Sequence, residues 1–123
     1  MLQERMMRRI VDSARLLIIR EMMGLSSHQL ASLLGVDHRS VIRWENGMFE
    51  VPDYADRKYK ELTEEFEGSA VNLAKEARAL GYVPVPHDKK ARYGFPASWY
   101  RAVARRAVEI SGLPAVWDDA LTE

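Results

Sequence analysis

The stretch "GLSSHQLASLLGVDHRSVIRWENG", Gly24 to Gly47, holds two short amphipathic segments separated by Gly35, Val36 and Asp37. Ser26 stands three residues before Gln29, the capping-box spacing, and Leu30, Ala31, Leu33 and Leu34 follow before Gly35 stops the segment. That predicts a helix of about two turns. Asp37 is a good N-cap for the next segment, "HRSVIRWEN". There Val41, Ile42 and Trp44 are expected to reach a core, while His38, Arg39 and Arg43 lie toward another face. Gly47 ends this second helix.

Upstream, "DSARLLIIREMM" (Asp12 to Met23) places Leu16, Leu17, Ile19, Met22 and Met23 around one broad helical face, and Gly24 follows as a left-handed cap. The opening "MLQERMMRRIV" suits either an extension of that helix or a basic arm. Downstream, "VPDYADRKYKELTEEF" begins with the helix-start signals proline and Asp, and Tyr54, Lys58, Leu62 and Phe66 keep a period near 3.6. "SAVNLAKEARALG" reads as a fifth helix with Val71, Leu73 or Ala74, Ala77 and Leu80 inward, unless Gly68 merely bends one long helix. The prolines of "YVPVPHDKKARYGF" exclude helix and predict an edge strand or a loop. A further helix is expected over "PASWYRAVARRAVEISG", then a short strand around Val116 or a docking segment anchored by Trp117.

Eighteen basic and eighteen acidic residues cancel, so bulk charge gives no argument for a polyanionic partner. The distribution is more informative. Glu50 to Glu67 is acid-rich, whereas Lys89 to Arg106 contains six basic residues and no acidic one, and every cation in the first fifty residues is an arginine. Arginine suits bidentate recognition of carboxylate, phosphate or guanine, and equally suits helix-surface pairs. The absence of cysteine removes disulfides, thiolate metal sites and cysteine nucleophiles. His28, His38 and His87 have no metal-ligand spacing, and nothing resembles a nucleophile elbow or a phosphate-cradling loop. No metal, cofactor or catalytic residue is therefore expected. The longest apolar run, Leu16 to Ile19, is too short to span a bilayer, so no membrane partner and a cytoplasmic, nucleoid-associated location are expected.

Two helices of this size, joined by a turn containing glycine, have the geometry of a helix-turn-helix. Leu30, Ala31, Leu34, Val36 and Val41 form its internal core, and the small Ala31 lets the second helix approach closely. The start of that second helix then projects from the body, where a major groove about 12 Å wide can admit it. From Arg20 to Pro52 the chain resembles the phage repressor and Cro family, also called Xre-like. The matching elements are Gly24-Leu25-Ser26, Leu30-Ala31, Gly35-Val36, Ser40-Val41, Trp44-Glu45-Asn46-Gly47 and Pro52.

The resemblance implies a role for each matching position. His38, Arg39 and Arg43 fall where that family reads bases. Ser27 and Asn46 match positions that grip the sugar-phosphate backbone, and Ser40 joins either group. Arg20 and Glu45 match a partly buried salt bridge that ties the first helix to the third. Trp44 is expected in the core rather than against a base.

The expected fold class is mainly α: a five-helix repressor-like helix-turn-helix domain followed by a short extended segment and a further C-terminal helix, with the DNA-binding domain over residues 1–68 and a helical extension for dimerisation over 69–123. Val71, Leu73, Leu80, Tyr82, Val83, Phe95, Trp99, Val103, Val116 and Trp117 exceed what three helices need to cover, which assigns dimerisation to the second region. The order of elements, with "WENG" followed by "VPD", also resembles small phage- and plasmid-associated regulators, including those of anti-CRISPR operons. The expected function is a homodimeric, sequence-specific DNA-binding repressor on an inverted-repeat operator. The competing reading is an antitoxin-like protein that binds its own promoter and neutralises a protein partner through its C-terminal half. An enzyme using His87, Asp118 or Asp119 is the third and least supported.

Overall fold

The computed structural model describes residues 2–121. Among the described residues the chain is mainly helical and divides into two compact units, residues 1–61 and 62–123. The first contains α1 (Leu2–Met22), α2 (Ser27–Leu34), α3 (His38–Glu45) and the opening turns of α4 (Asp53–Leu80). The second contains the rest of α4, β1 (Val83–Val85), α5 (Ala97–Ser111), β2 (Ala115–Trp117) and a closing 3-10 turn, Asp118–Leu121.

Local chemistry sets the ends of α2 and α3. The Gln29 N–H donates to Ser26 Oγ at 3.1 Å and the Ser26 N–H donates back to Gln29 Oε1 at 2.9 Å, completing the capping box. Asp37 caps α3 by accepting the Arg39 N–H at 2.8 Å. At the other end of α2, Gly35 adopts φ +70°, its N–H bonds the Ser32 carbonyl at 3.2 Å and the Val36 N–H bonds the Ala31 carbonyl at 3.0 Å. This is a Schellman closure, which a Cβ would strain. The same pair of bonds recurs after α1 and α3. Each helix is thereby stopped by its own backbone, and the turn between α2 and α3 stays short.

The core of the first unit comprises Leu16, Met23, Leu25, Leu30, Leu34, Val41, Trp44, Ala55 and Tyr59, all less than 9% exposed. The start of α4 braces the other helices. The Tyr59 hydroxyl donates to the Leu16 carbonyl at 2.5 Å, Lys58 Nζ donates to the Leu34 carbonyl at 3.0 Å, and Arg15 pairs with Asp56 at 3.2 Å. Lys58 thus places a cation where the C-terminal carbonyls of α2 gather negative charge.

The two segments flanking Gly68 form one helix rather than two. A Cβ at Gly68 would meet nothing within 4 Å, so the helix carries this glycine on an open face. Its helix-propensity cost of about 1 kcal/mol is offset by Phe66 and Ala70, both fully buried on either side. The phase of α4 also differs from the expected one. Ala55 and Tyr59 are buried, whereas Tyr54 is 49% exposed, and Val71 and Leu80 lie outward.

In the second unit Trp99 is the central side chain, with Phe66 edge-on at 5.2 Å and Phe95 stacked at 4.2 Å. The small residues Ala74, Ala77, Ala104 and Ala107 pack with Val83 and Val85 in a second cluster. β1 and β2 pair in parallel, Val83 opposite Ala115 and Val85 opposite Trp117, so the connection must cross over, and α5 supplies it. The proline-rich segment is therefore strand at Val83–Val85, and the residues around Val116 are its partner.

Candidate nucleic-acid interface

α3 has one buried and one exposed side. Val41 and Trp44 are 1% and 6% exposed and hold the helix to the body. Arg39, Ile42, Arg43 and Asn46 are all exposed, and their spacing of i, i+3, i+4 and i+7 forms one continuous stripe. Two of its members are the arginines read as base contacts. Among the described residues, neither guanidinium forms an ion pair. Arg43 instead lies over the Phe49 ring, 5.6 Å from its centroid, a cation–π contact that orients the side chain while leaving its donors available.

His38 and Ser27 meet each other. His38 Nε2 lies 2.8 Å from Ser27 Oγ, joining the first residues of α2 and α3, and the His38 ring stacks on His28 at 3.4 Å. When Nε2 donates to Oγ, the Ser27 hydroxyl proton is left for an outside acceptor such as a phosphate. Ser40 is partly buried in the first turn of α3, and Asn46 follows its last residue.

Arg20 and Glu45 lie behind this surface. Arg20 Nε donates to Glu45 Oε1 at 2.5 Å and a second guanidinium nitrogen donates to Oε2 at 3.1 Å, while the third reaches the Leu25 carbonyl at 3.0 Å. Their side chains are 15% and 9% exposed. The hydrogen bond that Arg20 donates to Glu45 raises the Arg20 pKa above its ordinary value despite the opposing effect of burial. The guanidinium therefore stays charged, and the pair links α1 to the last residue of α3.

Ile42 was expected in the core, but it is 39% exposed on the stripe between Arg39 and Arg43. An apolar side chain there can contact a thymine methyl. The signal that could have found it is its i+3 spacing from Arg39, since a helix this short cannot turn both Val41 and Ile42 inward.

Residues 16–52 match the helix-turn-helix family model. That segment is a helix-turn-helix of the Xre/Cro-like family, a DNA-binding regulatory domain. The comparisons found no match to the chain among curated proteins or solved structures.

Proposed function

We propose that this chain is a sequence-specific, homodimeric repressor that lays α3 in the major groove of each half of an inverted-repeat operator. The observation that carries the reading is the stripe of Arg39, Ile42, Arg43 and Asn46, exposed on a helix whose opposite face is anchored by Val41 and Trp44. Arg39 and Arg43 donate to guanine O6 and N7, and His38 reads a base from a ring position set by Ser27. Ser27, Ser40 and Asn46 hold the sugar-phosphate backbone and so fix register. Arg20 and Glu45 serve structure. Occupying the operator excludes polymerase, and no bond is made or broken.

Dimerisation belongs to the second unit in this reading. The Val83 N–H donates to the Pro114 carbonyl, so Pro114 and Val116 point their polar groups toward β1 while Ala115 and Trp117 point theirs the other way. Among the described residues this leaves β2 with an open edge. Beside it lies an apolar groove of about 680 Å³ lined by Val85, Ala104, Val108, Val116 and Trp117. A second copy seated there pairs the edge and covers the groove. Selection from a random duplex pool at fixed salt tests the proposal. The expected product is an inverted repeat with half-site centres about 34–36 Å apart. A single asymmetric site contradicts the dimer, and no enrichment contradicts sequence-specific binding.

A further inference from the structure

Between β1 and α5 the chain makes a tight turn whose residues do not suit it. Arg92 and Phe95 exchange both backbone bonds, each 2.9 Å, around the two residues Tyr93 and Gly94, which adopt φ +53° and +82°. Two positive φ values mark a type I′ turn, for which Asn-Gly is the favoured pair. Tyrosine is sterically penalised there, and Tyr93 is the only described residue other than glycine with positive φ. The residue is 95% exposed, so burial does not offset the strain.

The turn is firmly held nonetheless. Asp88 accepts the Lys90 N–H at 3.0 Å and pairs with Arg92, and the Tyr100 hydroxyl donates to the Arg92 carbonyl at 2.7 Å. Phe95 stacks on the buried Trp99. Lys89 and Lys90 are exposed and, among the described residues, form no ion pair. A strained backbone conformation persists where its surroundings over-determine it, and such sites cluster at ligand contacts.

We infer that this turn is a second nucleic-acid site, at which the Tyr93 ring stacks on an unpaired base while Lys89 and Lys90 hold neighbouring phosphates. A phosphate contact alone would use only the hydroxyl. An exposed aromatic residue three positions after two exposed lysines that, among the described residues, form no ion pair matches the stacking-and-charge chemistry by which single strands are bound. The site does not depend on α3 or on the repressor reading.

The test uses the full chain and four probes: oligothymidine and oligouridine of about 15 nucleotides, the selected operator duplex, and polyglutamate as an acidic-polymer competitor. Tyr93→Asn installs the preferred turn pair, so it is expected to fold at least as stably as the parent. It should nevertheless weaken single-strand binding roughly 5- to 100-fold while operator affinity is unchanged. Lys89→Ala with Lys90→Ala should flatten the single-strand salt slope by about 1.4. Tighter binding of oligouridine points to a transcript, and tighter binding of oligothymidine to opened DNA; either supports the site. Failure of both oligomers to bind, unchanged single-strand affinity in Tyr93→Asn, or equal competition by polyglutamate overturns it.

Discussion

Arg20 and Glu45, twenty-five residues apart in sequence, meet through two N–H···O bonds of 2.5 and 3.1 Å at the back of α3. This joins the helix that faces the groove to the first helix of the domain. Removing one partner strands a mostly buried charge. Arg20→Ala or Glu45→Ala is therefore expected to cost about 2–4 kcal/mol in denaturant unfolding. Replacing both residues by apolar ones of similar volume should cost less than either single change. Equal losses for the single and double variants would show that packing, not the pair, carries the effect.

Two glycines are expected to respond in opposite directions to alanine. At Gly35, with φ +70°, the change should destabilise by about 1–2 kcal/mol through backbone strain, because its Cβ would meet only Lys58 Nζ at an ordinary 3.6 Å. At Gly68, inside α4 with open space around a Cβ, it should stabilise by about 0.5–1 kcal/mol. Thermal or chemical unfolding of the two variants provides the comparison.

Asp56 predicts an acid limb to the stability of the first unit. Burial alone would raise its pKa, but hydrogen bonds from Lys60 and Arg15 reverse this and hold the carboxyl below its ordinary 3.8. A depressed folded-state pKa contributes stability that is fully present above the unfolded value and is lost as pH falls through the folded one. Asp56→Asn should therefore be less stable than the parent near neutral pH, and the gap should close as pH drops below 3.8. A gap that is constant with pH would count against the ionic contribution.

Ile42 separates contact from stability. Ile42→Ala is expected to change unfolding by less than about 1 kcal/mol, since the side chain is 39% exposed. It should relax preference at a thymine in the selected operator, while Val41→Ala, at a 1% exposed position, should cost about 1–3 kcal/mol of stability. Binding-site selection and unfolding on both variants check this.

The parts of the fold that were legible in the sequence are those set by short-range chemistry. Ser26 with Gln29, Asp37, Gly35 and Gly47 each act on backbone groups within a few residues, so the boundaries of α2 and α3 follow from them directly. The orientation of long helices was less legible. Tyr54 and Tyr59 both suit a periodic apolar face, and only the reach of the Tyr59 hydroxyl to the Leu16 carbonyl selects the latter. Gly68 carries no local signal that separates a stop from an exposed helix position; burial of Phe66 and Ala70 decides it. At the candidate site the shared outward face of Arg39 and Arg43 was legible from helical spacing, whereas their reading as base contacts rests on the resemblance. The Ser27–His38 bond was not, because it joins side chains eleven residues apart on separate helices.

The central claim is that the arginines of α3 read bases. Its most direct measurement is a binding cycle at fixed salt, pairing the parent and Arg39→Ala with the selected operator and with a version altered at one symmetric guanine. The parent is expected to lose roughly 5- to 150-fold affinity per altered half-site, corresponding to about 1–3 kcal/mol, while Arg39→Ala no longer distinguishes the two duplexes. If the variant discriminates as strongly as the parent at every guanine tested, Arg39 does not read the operator.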